Sequence, residues 1–362
     1  MLTLQQRLPA SGARAVAPFL LDGARWLAVP QLAVDRPGTP PGINGGDSGT
    51  QVQLLREGAA GFTVAGVLPI GGGEDAEVFS LEGRTMIGVA SIRTGRGPYD
   101  FATVSPLFVR DGDGFVRTQG LHTFAAKQLR HFRIGAEHFL AIAQGMPGGP
   151  TTSTVLRWDG SVFIPFQDLA SAAGYNIAVF DIDGTTYLAH ADHVMPSRLY
   201  RFDGARFVAW QELVPSGGRA FQLIRDGGDV WLAVARIDGD SLLLRWDGTR
   251  FADGTVIPGG PGGREFALVR TETDTFLFRV DFIHGTPADP QPDLESHVYR
   301  FDRGVLERIA GFRTTGGTDV AVLPAREGGA AHEIVVSNGL AAQPFPGGTF
   351  GGSVAVYRFD EL

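Results

Sequence analysis

An arginine, an aromatic residue, an aspartate and a glycine recur in that order at Arg157-Trp158-Asp159-Gly160, Arg201-Phe202-Asp203-Gly204 and Arg245-Trp246-Asp247-Gly248, with 44 residues from each arginine to the next. A fixed period in the low forties marks a chain of equivalent units that bury their faces against one another. Degenerate copies stand at Arg56-Glu57-Gly58, Arg110-Asp111-Gly112, Arg300-Phe301-Asp302 and Arg358-Phe359-Asp360, at spacings stretched to between 47 and 58 residues. The units therefore number seven.

Four segments recur within a unit. In the fourth, Ala178-Val179-Phe180-Asp181-Ile182 alternates and runs into Asp183-Gly184, a two-residue hairpin signal. Thr186 to Ala191 follow, then Arg198 to Phe202, then Phe207 to Trp210 beyond the Asp203-Gly204 turn. Four short antiparallel strands, A to D, at this period make one propeller blade. The expected fold is all-β: a seven-bladed β-propeller occupying 1–362 as one domain. Its repeats run over about 14–62, 62–115, 115–163, 163–207, 207–251, 251–306 and 306–362. The chain ends just after a C strand, Val354 to Phe359, while Thr3-Leu4-Gln5-Gln6-Arg7-Leu8-Pro9 resembles the D segments that begin at Phe163 and Phe207. The N-terminal strand, 2–9, is thus expected to complete the last blade and remove a free sheet edge.

Composition agrees. The chain is 43% hydrophobic and 19% charged, and its 51 glycines and 22 prolines suit many short strands joined by turns. A net charge of −8 lacks the basic footprint of a nucleic-acid binder or of a protein drawn to an anionic membrane. The absence of cysteine excludes disulfides, thiolate chemistry and Cys-ligated zinc. The first residues lack a signal peptide's basic start and apolar stretch, and no run approaches the ~18 apolar residues of a membrane span. The chain as it stands reads as cytoplasmic by default, or extracellular if a leader has been removed, and as a monomer.

The strings Tyr187-Leu188-Ala189, Trp231-Leu232-Ala233-Val234-Ala235 and Phe139-Leu140-Ala141-Ile142-Ala143, each followed by Arg-aromatic-Asp-Gly and then Phe, resemble the EAR (epilepsy-associated, or EPTP) repeat. The resemblance is clearest from about residue 115 to 251. It implies a seven-bladed propeller that binds other proteins, as in the secreted LGI proteins, and not an enzyme. The leucine-rich repeats, cysteines and glycosylation sequons of those proteins are missing here.

In a meander blade the D-to-A and B-to-C loops share one face. The B-to-C segment is short in blades 4 and 5 but long in blade 1 (Val34 to Asp47), blade 2 (Arg93 to Asp100), blade 3 (Gln144 to Ser153), blade 6 (Phe282 to Glu295) and blade 7 (Asn338 to Gly352). The other face carries tight turns such as Asp22-Gly23 and Asp183-Gly184. Long loops on a rigid scaffold are where binding residues concentrate, although Pro/Gly connectors also drift in length. Tyr99, Phe101, Phe282, Phe345 and Phe350 are the candidate aromatic anchors for a protein, or alternatively a glycan, partner. Each could equally pin its own loop.

Alignment of the repeats places Ala15, Asp75, Gln128, Asn176, Ala220, Glu265 and Asp319 at the start of strand A, where side chains would converge on a central channel. Converging carboxylates need protons or a cation, and hard oxygens suit Ca²⁺ or Mg²⁺. Asp75, Asn176, Glu265 and Asp319 are the candidate ligands, in keeping with the channel cation that the LGI resemblance implies. A water-filled polar channel is the other reading.

The enzymatic alternative is a Ca²⁺-dependent propeller hydrolase or lactonase, with Asp192, His193, Asp281 and Asn338 at the ends of their B strands. His190 and His193 stand three apart and fall on opposite faces of a regular strand, so they cannot share a metal without a bulge. Gly145-Met146-Pro147-Gly148-Gly149-Pro150-Thr151 lacks a Walker lysine, and Asp111-Gly112-Asp113-Gly114 lacks the closing glutamate of an EF-hand. A Gly-x-Ser-x-Gly elbow is also missing. The sequence favours an interaction module.

Overall fold

The computed structural model describes residues 1–38, 40, 42–326, 332–345 and 347–361. Seven four-stranded antiparallel sheets and one two-stranded ribbon account for the strands among them. This is the expected all-β, seven-bladed β-propeller class. No helix among the described residues is long and apolar enough to cross a membrane.

The chain divides into two compact units. The first, Met1–Ala76 with Arg93–Asp100 and Gly262–Leu362, holds blade 1 (Ala17–Leu21, Ala24–Val29, Val52–Gly58, Gly61–Leu68), blade 6 (Gly263–Arg270, Thr275–Asp281, Asp293–Asp302, Val305–Thr315) and blade 7. Blade 7 is assembled from both ends of the chain: Gly317–Val322, His332–Asn338 and Ser353–Phe359 are followed outward by Leu2–Pro9. Leu2 stands opposite Phe359 and Pro9 opposite Ser353, as the closing strand requires. The second unit, Glu77–Ile92 and Phe101–Pro261, holds blades 3 to 5 and blade 2 apart from the start of its A strand and its B-to-C loop, each blade a plain A-B-C-D meander.

Burial explains the strand composition. Strand B of blade 4, Thr185–Asp192, is buried from Tyr187 onward on both its faces, which is why it reads Tyr-Leu-Ala-His-Ala without alternation. The outermost strands, such as Phe207–Val214, keep exposed positions.

The repeated tetrapeptide owes its composition to four local demands. Asp203 Oδ1 accepts the N–H groups of Ala205 and Arg206 at 2.9 Å each, and Asp159 and Asp247 do the same in their own turns. These donors, led by the backbone of Arg206, hold the Asp203 carboxyl below its ordinary value. The following glycine takes φ of +100°, in the left-handed half of the map that a side chain resists. The aromatic residue packs on the phenylalanine that opens strand D, Trp246 on Phe251 at 5.1 Å and Phe202 on Phe207 at 5.3 Å between ring centroids. The arginine lies over another ring, Arg201 over Trp210 at 5.1 Å.

Blades are joined by a glutamine clamp. Gln167 on a D strand donates its Nε2 to Phe207 O at 2.7 Å and accepts the Phe207 N–H at 2.8 Å, so its amide mimics a paired backbone. Gln119 holds Phe163, Gln211 holds Phe251, and Gln6 on the N-terminal strand holds Phe62 in the same way. The clasping strand thus makes the same link to blade 1 that ordinary D strands make to the blade after them. Gln167→Leu keeps the volume and removes both bonds. It is expected to lower stability by about 1–3 kcal/mol in urea unfolding, with Phe207's polar groups left half-satisfied. An unchanged urea midpoint would reduce the clamp to decoration.

Candidate functional site

The start of strand A is irregular. In blade 4, Gly174 pairs with Asp192 and Asn176 with Ala191, which leaves Tyr175 as an extra residue in a bulge. Arg219, Arg264 and Thr318 occupy the same bulge in blades 5, 6 and 7. A bulge re-aims a side chain that simple alternation would assign elsewhere. The glycine before it is demanded by space: a Cβ on Gly174 would come within 2.6 Å of Ser153 Oγ, and one on Gly218 within 2.1 Å of Ser197 Oγ.

The side chains that meet accordingly come one residue earlier than Asp75, Asn176, Glu265 and Asp319. In the first unit Glu74 is the hub: Oε2 accepts Arg14 Nε at 2.9 Å and Oε1 accepts Arg264 Nη2 at 2.9 Å, with the Glu74 side chain 1% exposed. Both guanidinium groups lie over Phe282, at 5.3 and 5.7 Å from its centroid. In the second unit Tyr175 sits between two cations, Arg219 at 3.8 Å and Lys127 at 5.1 Å. The glycine that opens each strand, as in Gly73-Glu74, Gly174-Tyr175, Gly218-Arg219 and Gly263-Arg264, was the available signal.

The positions named from sequence do a different job. Asp319 accepts Val16 N–H through Oδ2 and its neighbour Val320 N–H through Oδ1, both at 2.8 Å. Gln128 Oε1 accepts Ile177 N–H at 2.6 Å, the equivalent bond one blade on from its own, and Glu265 Oε1 accepts Phe266 N–H at 3.0 Å. Asn176 is buried, and Asp75 is half-buried. Among the described residues no three His, Asp or Glu side chains form a group able to hold a metal.

The long loops form the second feature. Arg93, from the blade 2 loop, donates Nε to Ser48 Oγ at 3.0 Å, Nη1 to Asn44 O at 2.8 Å and Nη2 to Gly45 O, while its plane lies 3.9 Å over the Tyr99 ring. Burial pushes its guanidinium below the usual value, with Tyr99 opposing. Tyr99 in turn donates to Gly46 O at 2.7 Å. Asp35 of the blade 1 loop accepts Thr349 N–H at 2.7 Å and Phe350 N–H at 2.9 Å from the blade 7 loop. Ile43 N–H reaches Pro287 O of the blade 6 loop, and Gln343 Nε2 reaches Pro290 O at 2.8 Å. Four loops of the first unit are therefore bonded into one surface, though residues 39, 41 and 346 within them lie outside the described residues.

The five aromatic candidates separate. Phe350 is 2% exposed and wedged so tightly that a Cβ on Gly46, at φ +84°, would meet its ring at 2.7 Å. Phe282 is buried under the two arginines. Tyr99 braces Arg93, and half-buried Phe101 leans on Phe124 at 6.5 Å in the second unit. Phe345 is half-exposed, carries a positive φ of 61° and lines an open groove of about 510 Å³ with Pro40, Ala288, Asp289, Pro290, Gln343 and Pro344. A non-glycine residue held there is strained, a feature that clusters at ligand clamps.

The B-strand ends are staples. Asp192 is 1% exposed; Oδ2 accepts Ser171 Oγ, Ala172 N–H and Ala173 N–H, and Oδ1 accepts Val194 and Met195 N–H. Asn338 accepts Thr315 N–H at 2.9 Å, and Gln31 and Gln144 hold Ser11 and Phe124 N–H alike. A serine at the start of strand C, as at Ser153, Ser197, Ser241 and Ser296, accepts the N–H of the B-end residue. His190 Nε2 lies 3.0 Å from Ser153 Oγ, but both are fully buried, and burial pushes the imidazole down to about 4. His193 stays apart from it, edge-on to Tyr175 at 6.2 Å.

Burial pushes the Asp192 carboxyl up, and the N–H groups of Met195, Ala173 and Val194 with the Ser171 hydroxyl outweigh it, so the net shift is downward. A depressed folded value contributes stability above the unfolded value of about 3.9, and the contribution is lost as pH falls through the folded value. Asp192→Asn should therefore destabilise strongly at neutral pH and progressively less below about pH 4. Denaturant midpoints of both proteins across pH 3 to 7 check this; a gap constant with pH would refute it.

The geometry is that of a repeat propeller with a braced loop surface, and two stretches of the chain, residues 114–159 and 206–247, match the EPTP domain. Relatives include the thrombospondin-type laminin G domain and EAR repeat-containing proteins of Homo sapiens, 35% identical over 83 residues, and of Mus musculus, 30% identical over 121. Those matches cover 22% and 32% of this chain and 12% and 17% of the relatives, so the chain aligns with under a fifth of their length.

Proposed function

We propose that this chain is a non-enzymatic interaction module that docks a protein partner on the joined loops of blades 1, 2, 6 and 7. One observation carries the reading: those loops are tied to each other through Arg93, Asp35, Ile43 and Gln343. Connectors that had merely drifted in length would bond to water and to their own blades. A surface ordered in advance loses less entropy when a partner lands on it. Phe345, at the groove, is the anchor, and the buried Phe350 and Phe282 support the floor. The EAR repeats shared with the human and mouse relatives favour binding over turnover.

The experiment is a pull-down with three forms of the full chain: unaltered, Phe345→Ala, and a form in which 339–351 is shortened. Partners retained by the first and lost by the other two place binding on this surface. Partners retained by all three, from cells or from a glycan array, would put the binding face elsewhere.

A further inference from the structure

We propose that His131 and His138 form a surface site for a divalent transition-metal ion of the Cu²⁺ or Ni²⁺ class, on the A-to-B hairpin of blade 3. His131 lies on strand A (Gln128–Ile134) opposite Leu140, and His138 lies on strand B (Glu137–Ala143) opposite Arg133. Two residues of offset put both imidazoles on one face as a diagonal pair. His131 Nε2 stands 2.9 Å from His138 Nδ1.

That separation is a ligand's bite. Two metal–nitrogen bonds of about 2.0–2.1 Å meeting at a right angle span about 2.9 Å. A tetrahedral ion would open the pair wider, so the spacing selects square or tetragonal coordination, the preference of Cu²⁺ and Ni²⁺. The His131 ring is held by Phe79, which stacks on it at 4.4 Å and 12°, and its strand by the backbone N–H of His131, which donates to Glu77 Oε1 at 2.9 Å. His138 sits near the hairpin's end, half-exposed, with its ring stacked on that of His131 at 5.2 Å between centroids.

A neutral imidazole is the ligating form. The mutual hydrogen bond of the two rings places one proton between the two facing nitrogens. Binding moves that proton to the other nitrogen of the same ring through solvent, so the metal enters with no net proton released. No third His, Asp or Glu completes a cluster among the described residues, and water takes the remaining positions.

The test adds Cu²⁺ alone to the full chain and follows it by titration calorimetry and electron paramagnetic resonance. One equivalent should bind, with a hyperfine pattern from two nitrogen ligands, and Ni²⁺ should bind more weakly. His138→Gln, at a half-exposed position, should keep the fold and lose about tenfold or more in affinity together with the two-nitrogen pattern. His131→Gln repeats the loss if it stays folded by circular dichroism, and otherwise His138→Gln decides alone. No stoichiometric Cu²⁺ in the unaltered chain, or equal binding by His138→Gln, overturns the site.

Discussion

Asp281→Ala is expected to be among the most damaging single changes in this chain, lowering stability by about 3–5 kcal/mol and the melting temperature by on the order of 5–10 °C. Arg279 is wholly buried in blade 6, and its Nε and Nη2 both donate to Asp281 Oδ1, at 2.9 and 2.7 Å. His297 Nε2 lies 3.3 Å from the other carboxylate oxygen, and Asp281 N–H is taken by Ser296 Oγ. Removing the carboxylate takes from a buried guanidinium the acceptor of its Nε and Nη2, and the cost is the desolvation of that charge more than the loss of the pair. Asp302→Ala serves as the control, because its bond to Arg303 is largely solvent-exposed and should contribute little. Equal melting curves for the two variants would mean that Arg279 finds another anion or reaches water.

The second large effect is at Glu74. Glu74→Ala strands Arg14 and Arg264, each about 10% exposed and both over Phe282, so charge repulsion adds to desolvation. A loss of about 3–5 kcal/mol is expected, measured by urea unfolding. The informative partner is the triple change Arg14→Met, Glu74→Leu, Arg264→Met, which replaces the ion set by apolar groups of similar length. It should recover most of the loss, because a buried ion triad adds little beyond what packing in its place would supply. A triple variant as unstable as Glu74→Ala would show that the charges themselves shape this part of the first unit.

How far the sequence could be read follows from the range of each interaction. The tetrapeptide repeat is local: Asp203 bonds to residues two and three ahead and Phe202 packs five ahead, so both recur visibly at a fixed period. The N-terminal clasp was readable because Leu2–Pro9 resembles other D strands. The bulge was not, since alternation carries no mark of an inserted residue, and neither were the backbone N–H groups that Asp319 and Gln128 accept from the neighbouring blade. Loop length showed where insertions lie. What bonds them, Arg93 to Asn44 and Asp35 to Thr349, spans 49 and 314 residues of sequence and leaves no local trace. Exposure of an aromatic is equally unreadable, which is why Phe350 and Phe345 looked alike.

The glutamine clamp at Gln6 has a consequence for synthesis. Strand Leu2–Pro9 is made about 340 residues ahead of its sheet partner, Ser353–Phe359. At about 5–20 residues per second the ribosome needs on the order of 20–70 s to reach that partner. Throughout that interval the early strand has no sheet to join, while Phe62, the partner of Gln6 in blade 1, follows it by only 56 residues. The clamp would then act as a tether that parks the early strand beside its eventual place until the last blade emerges.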